Sequence, residues 1–421
     1  MKFVLSFLLV VAIGVGFFLF FSPNTISLNH PNPISEVSGQ TAELPLVPEA
    51  QQPTSSIESP VNRNGDIANQ QPLQNPPKVI KGIYLTGWTA GSKSRLESII
   101  GFMKKAGLNA VVIDIKDYSG YVSYTMDIPE VRSSGALNQI RILHPNTVIK
   151  ELHDNNIYII GRVTVFQDPI LAKAHPEWAL KNKSTGGVWL DSRGLAWLDP
   201  AAKPVHDYVI SIAKDAFGRG FDEINFDYIR FASDGNLQNI SFPFWDGKTT
   251  RAVVINGFFQ YLRSQLSGYK ISADLFGLST YSNDDLGIGQ VIENAYKYFD
   301  YVSPMVYPSH YAPGTRGYKN PANYPYEIIS YSMSSALARL SDKKVSAASS
   351  TANTNTVDAS SSPYIAKLRP WLQVFDLGAV YDKIMVQKEV NAVEDTLAKG
   401  SGEFYAGYLF WDPSNNYKAL Q

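Results

Sequence analysis

Hydrophobic positions fall into two regimes along the chain. The first is one unbroken run at 3–21, FVLSFLLVVAIGVGFFLFF, which carries no charge. Nineteen helical residues rise roughly 28 Å, close to the hydrocarbon thickness of a bilayer. The run is longer than a usual signal-peptide core and no small-x-small cleavage site follows it. It predicts an uncleaved transmembrane anchor over 1–21, with a cleaved signal peptide as the alternative. Lys2 is the one basic flank, so the N-terminus is expected in the cytoplasm and the rest outside. The expected place is therefore the cell membrane, single-pass, or the secreted fraction if the run is cleaved.

The second regime starts at Val79. Short β-like runs there alternate with amphipathic segments to the end of the chain. Strands are predicted at 79–85, 110–117, 157–166, 222–231, 270–277, 301–308, 368–375 and 404–411. Helices are predicted at 94–106, 145–155, 205–217, 251–266, 288–298, 326–340 and 381–397. Strict alternation implies a parallel sheet, and several strands are apolar on both faces, as buried parallel strands are. Eight such units predict an α/β fold, a closed (β/α)8 TIM barrel over 79–421. The rival, an open doubly wound sheet, usually opens on a glycine-rich turn. Here the first turn is LTGWTAGSKS, without G-x-G-x-x-G spacing. A polar, low-complexity insertion is expected at 341–362.

Between the regimes, 22–78 holds ten prolines among Ser, Asn and Gln, and no aromatic residue. Such a segment cannot bury a core and reads as a disordered linker.

Charge and composition narrow the chemistry. The 421 residues carry 37 Lys+Arg against 38 Asp+Glu. This balance gives no electrostatic footprint for nucleic acid. There is no cysteine, which excludes disulfides, thiolate zinc sites, iron–sulfur clusters and cysteine nucleophiles. The six histidines show no H-E-x-x-H spacing, so no metal or cofactor is expected. A serine-hydrolase elbow, G-x-S-x-G, is absent from the sequence.

In a (β/α)8 barrel the active site lies at the C-terminal ends of the strands. Asp227 and Asp274 sit near those ends on strands four and five, each in an apolar run. A buried carboxylate costs several kcal/mol unless it is bonded or paired, on the order given by polar-group transfer. Neighbouring strands lie roughly 5 Å apart, so two such acids can approach the 5–10 Å used in glycoside hydrolysis. They are the candidate catalytic pair: Asp227 the nucleophile or charge stabiliser, beside Arg230, and Asp274 the acid/base. Candidate substrate contacts at other strand ends are Asp114, Asp117, Arg162, Tyr228, Arg230, Tyr307, His310, Trp371, Gln373, Trp411 and Asp412. Their flat rings suit the apolar faces of sugars. Asp114 and Asp117 alternatively bind a cation or play a structural part. The long segment after strand three, rich in Trp and Gly, is expected to wall a cleft.

From Lys81 onward the chain also resembles a bacterial family of barrel proteins of unknown function related to known glycosidases. The resemblance rests on KGIYLTGWTAG, NAVVIDIKDYSG, GRVTVFQDP, INFDYIRF, SADLFG, VSPMVYPSHY, LRPWLQVF and GYLFWDPSNNY. It implies a (β/α)8 fold and action on a polysaccharide. Strand four also resembles the chitinase signature D-x-x-D-x-D-x-E. Asp222 and Asp227 match, but Asn225 replaces the second acid and Ile229 stands where the catalytic Glu belongs. This departure points instead to an amylase-like pair of acids on strands four and five.

The resulting expectation is a membrane-tethered extracytoplasmic glycoside hydrolase, a monomer, acting on a cell-envelope or exported polysaccharide or oligosaccharide. A glycan-binding barrel without catalysis is the alternative.

Overall fold

The computed structural model describes residues 65–350 and 366–421. The expected anchor, most of the expected linker and the second half of the expected insertion lie outside them. Among the described residues no helix is long and apolar enough to cross a membrane.

Eight parallel strands close into a barrel. They are β1 (Ile80–Leu85), β2 (Ala110–Lys116), β3 (Tyr158–Thr164), β4 (Glu223–Asp227), β5 (Ile271–Phe276), β6 (Tyr301–Met305), β7 (Lys367–Leu368 and Trp371–Gln373) and β8 (Gly407–Trp411). Each pairs with its sequence neighbour, and β8 returns to β1 through Ile80↔Gly407 to Ile83↔Phe410. Helices α1 (Lys93–Ala106), α2 (Pro145–Asp154), α3 (Lys203–Arg219), α4 (Arg251–Gln265), α5 (Ile292–Tyr298), α6 (Pro325–Ser350) and α7 (Lys383–Val393) follow the strands in turn. The main apolar core lies between strands and helices, and a second cluster fills the barrel with Ile80, Tyr84, Val112, Tyr158, Ile160 and Trp371.

Three elements differ from the sequence-based expectation. Strand β4 stops at Asp227, not at residue 231. Tyr228 takes a left-handed backbone, φ 54°, which ends the extended run. The apolar residues beyond it, Ile229 and Phe231, are buried in the outer core instead. Strand β7 is broken at Arg369–Pro370, where proline has no N–H to give a ladder. Residues 341–350, expected in a polar insertion, continue α6.

The segment from Gly65 to Lys78 has neither helix nor strand and is bound to the barrel. Asp66 caps α2 from a distance: its carboxylate accepts the N–H of Asn146 at 2.7 Å, and the N–H and hydroxyl of Thr147. His144 precedes the helix and supplies no side-chain cap, so Asp66 fills that role. The Gln70 N–H then bonds the Arg219 carbonyl, and the Leu73 N–H bonds Asp222 at 2.6 Å. Leu73 packs against the apolar cluster inside the barrel, at the N-terminal ends of the strands. Gly220, which ends α3 with φ 107°, admits this strap. A Cβ there would come within 2.6 Å of the Gln70 carbonyl oxygen.

Candidate active site

Side chains that point into the barrel form polar layers. The lower layer is Glu223, Ser272, Tyr158 and Arg369. Arg369 forms a two-pronged ion pair with Glu223, and both are fully buried. The upper layer, at the C-terminal mouth, is built around Arg162 on β3. One prong of its guanidinium meets Asp114 on β2 at 2.6 Å, the other meets Asp227 on β4 at 2.5 Å, and Nε lies 3.9 Å from Asp274 on β5. Strand register explains the gathering. Asp114 pairs with Arg162, Arg162 with Asn225, and Asn225 with Ser272. Two residues further up, Asp227 and Asp274 stand level and point inward by alternation. A planar guanidinium touching both keeps the carboxylates within about 9 Å of each other, inside the window that glycoside hydrolysis uses.

Their surroundings differ. Asp227 accepts Arg162 on one oxygen and its neighbour Tyr228 N–H on the other, at 2.6 Å. Asp274 accepts the Trp371 indole N–H and the Asn225 amide, both at 2.8 Å and both on Oδ1. Burial raises the Asp274 pKa most, and repulsion from Asp227 adds to it. Arg162 and the two donors only partly offset these, so the carboxyl is pushed up to about 8. Burial also raises Asp114, against the pull of Arg162. For Arg162, burial opposes the charge, but Asp114 and Asp227 overcome it and raise its pKa above the ordinary value.

Aromatic residues wall the mouth. Trp411 lies 4.0 Å from Tyr84, near-parallel, and stands edge-on to Trp371 at 5.6 Å. The Tyr84 hydroxyl donates to Asp114 at 2.5 Å. Tyr307, His310 and Phe375 pack edge-to-face on the opposite side. Burial lowers the His310 pKa to about 4, so the ring is neutral.

The other expected contacts are engaged by partners of their own. Asp117 faces the loop after β2, bound to Arg141 at 2.6 Å and to Ser119. Arg230 is not the counter-ion of Asp227; that is Arg162. Arg230 lies beneath Trp197, Tyr228 and Phe276 and donates to the Phe231 carbonyl and Ser233. The Gln373 amide holds Ser309 and the Phe375 carbonyl, and Asp412 caps the turn at Ser414. The Trp-rich segment after β3 is packed rather than open: Trp189 and Trp197 are buried, with their indoles bonded to the Asn236 carbonyl and to Asp191. Sequence reasoning overlooked Tyr84 and Asn225 as carboxylate partners. Strand alternation could have found both, since Asn225 lies two residues from the inward Asp227 and Tyr84 lies four from the inward Ile80. Among the described residues no cluster of His, Asp and Glu has the geometry to hold a metal ion.

A closed parallel barrel with a carboxylate pair in its C-terminal mouth places the protein among the (β/α)8 enzymes. Residues 82–417 match the family described as "Putative glycosyl hydrolase domain", and the chain belongs to that family. A hypothetical protein from Ruminiclostridium thermocellum ATCC 27405 is 42% identical over 49% of this chain and 98% of its own, with a TM-score of 0.42. The α-galactosidase TtGalA from Thermus thermophilus is 11% identical over 82% of this chain and 60% of its own, with a TM-score of 0.44. The GH36 α-galactosidase AgaB from Geobacillus stearothermophilus is 12% identical over 82% of this chain and 40% of its own, with a TM-score of 0.43. The chain thus spans less than two thirds of either α-galactosidase. No curated protein matches the sequence.

Proposed function

We propose that the barrel hydrolyses a glycosidic bond in its mouth, with Asp274 as acid/base and Asp227 as nucleophile or charge stabiliser. The observation that carries this reading is the guanidinium of Arg162, which is bonded to Asp227 and lies 3.9 Å from Asp274 on the neighbouring strand. A protonated Asp274 gives its proton to the glycosidic oxygen as the bond to the anomeric carbon breaks and the leaving group takes the electron pair. Asp227 meets the positive charge that develops on the sugar, by attack or by electrostatics. The Asp274 carboxylate then takes a proton from water, whose oxygen joins the anomeric carbon; where Asp227 has attacked, its bond to that carbon breaks in the same step and Asp227 leaves with the electron pair as the carboxylate. Trp411 and Tyr307 offer ring faces and edges for the sugar. Arg162 is a positioning residue that fixes Asp114 and Asp227 together.

We further propose that the substrate is a polysaccharide of the cell envelope or an exported glycan. The protein would work outside the cytoplasm on an anchor formed by 3–21. The uncharged run and the proline-rich stretch after it support this reading.

The test is a reducing-sugar screen of the full chain against plant, fungal and bacterial glycans. Sugar release by the wild type should fall at least about a thousandfold in Asp227→Asn, since a lost catalytic carboxylate costs orders of magnitude. Near-normal release by that variant would overturn the assignment.

A further inference from the structure

The mouth is not the whole of the C-terminal face. Beside it, between the turn after β1 and the turn after β8, lies a cleft of about 320 Å³. Thr89, Ser94, Arg95 and Ser98 line one side, and Ser414 and Asn415 the other. The polar part of the lining is hydroxyls, one amide and one guanidinium, Ile99 supplies an apolar part, and no carboxylate is among the lining residues. Their hydroxyl oxygens keep acceptor capacity even where the hydrogen is already donated, as from Ser98 to the Ser94 carbonyl. Arg95 contributes donors from an exposed position, and its sole close contact here is a 3.5 Å bond to Thr89.

Two further observations make the cleft more than a surface dent. Asn415 is held rigidly: it adopts φ 56°, its carbonyl accepts the Thr86 N–H at 3.0 Å, and its amide donates to the Tyr84 carbonyl at 3.0 Å. Through Tyr84, whose hydroxyl sits on Asp114, the cleft wall is one residue from the carboxylate layer. Ile99, on the same helix as Ser98 and packed against the outer core, adds an apolar side chain to the cleft lining. An apolar side chain among hydroxyls presents one apolar patch and many small polar groups, which is the chemistry that a pyranose ring complements.

We propose that this cleft is an accessory carbohydrate subsite. It holds a sugar unit of the same chain that is cut in the mouth, so the substrate is an oligosaccharide or polysaccharide rather than a simple glycoside. The proposal deepens the glycosidase reading and rests on it for the identity of the ligand. Its binding does not depend on Asp227 or Asp274.

Affinity electrophoresis tests it. The full chain in mild detergent is run through native gels cast with galactomannan, soluble starch, xylan or polygalacturonate. At least one polymer should slow the wild type. Ser98→Trp, which fills the cleft, and Arg95→Ala, an exposed change that leaves the core intact, should each raise the apparent Kd roughly tenfold, a loss of about 1.4 kcal/mol. Asp227→Asn should still be slowed. Undiminished retardation in both Ser98→Trp and Arg95→Ala would overturn the subsite, as would no retardation of the wild type by any of the four. A protein that is slowed through the cleft yet releases no sugar would sink the hydrolase reading and leave the subsite standing.

Discussion

Asp274 holds a proton at neutral pH because burial and the nearby Asp227 outweigh the donors around it. A general acid works only while protonated, so kcat/KM should fall about tenfold per pH unit once the pH passes about 8. A rate profile over that range checks this, and a flat profile would remove Asp274 from the acid role. Trp371 donates to the ionised form of Asp274, and such a donor lowers the pKa. Trp371→Phe should therefore move the alkaline limb upward, whereas a purely structural tryptophan would leave it in place. The same shift has a stability sign. The native state keeps this proton above the ordinary carboxyl pKa, where the unfolded chain has lost it. The group's contribution is thus full in acid and declines as the pH rises toward about 8. Both acids were legible in the sequence as lone carboxylates in apolar runs. Their counter-ion was not. Arg162 becomes the partner of Asp227 through register across β3 and β4, whereas Arg230, three residues away in sequence, turns outward beneath Trp197.

At the level of elements, the barrel's polar layers constrain what the strands can tolerate. Arg369 sits at the break in β7 and reaches into the lower layer, where it is the ion-pair partner of Glu223. Arg369→Ala would leave a buried carboxylate without its counter-charge, at a cost of about 3–5 kcal/mol in chemical denaturation. Replacing both, Arg369→Met with Glu223→Leu, should recover most of that loss, because the desolvation of two charges goes with them. The strap makes a second case. Asp66→Ala removes the cap of α2 and should cost about 1 kcal/mol. Hydrogen exchange should quicken first at the Asn146 and Thr147 amides. The eight strands were readable because parallel strands buried on both faces show as apolar runs, AVVIDIK most plainly. The strap was not, because its order comes from backbone groups meeting Asp222, Arg219 and Asn146, which proline and glutamine content does not encode.

On the scale of the whole molecule, the two ends of the barrel differ. The carboxylate layer opens at the C-terminal ends of the strands, and the strap closes the N-terminal ends, where Leu73 meets the inner cluster. The start of the held structure can be located by trypsin, because Arg63 and Lys78 are the only Lys or Arg residues between Lys2 and Lys81. A linker that ended at Val79 would be cut after Lys78. The strap's bonds at Asp66, Gln70 and Leu73 argue that backbone near Lys78 is held against the barrel, while Arg63 precedes all of them. Under the anchor and hydrolase activity proposed above, brief digestion of membranes carrying the full chain should thus release a fragment that begins at Asn64 and keeps the wild-type glycan-cleaving rate. Asp66→Ala should increase the share cut after Lys78. Equal early cutting after Lys78 in the wild type would show that the strap is not held. Full-length protein in the supernatant before digestion would remove the anchor.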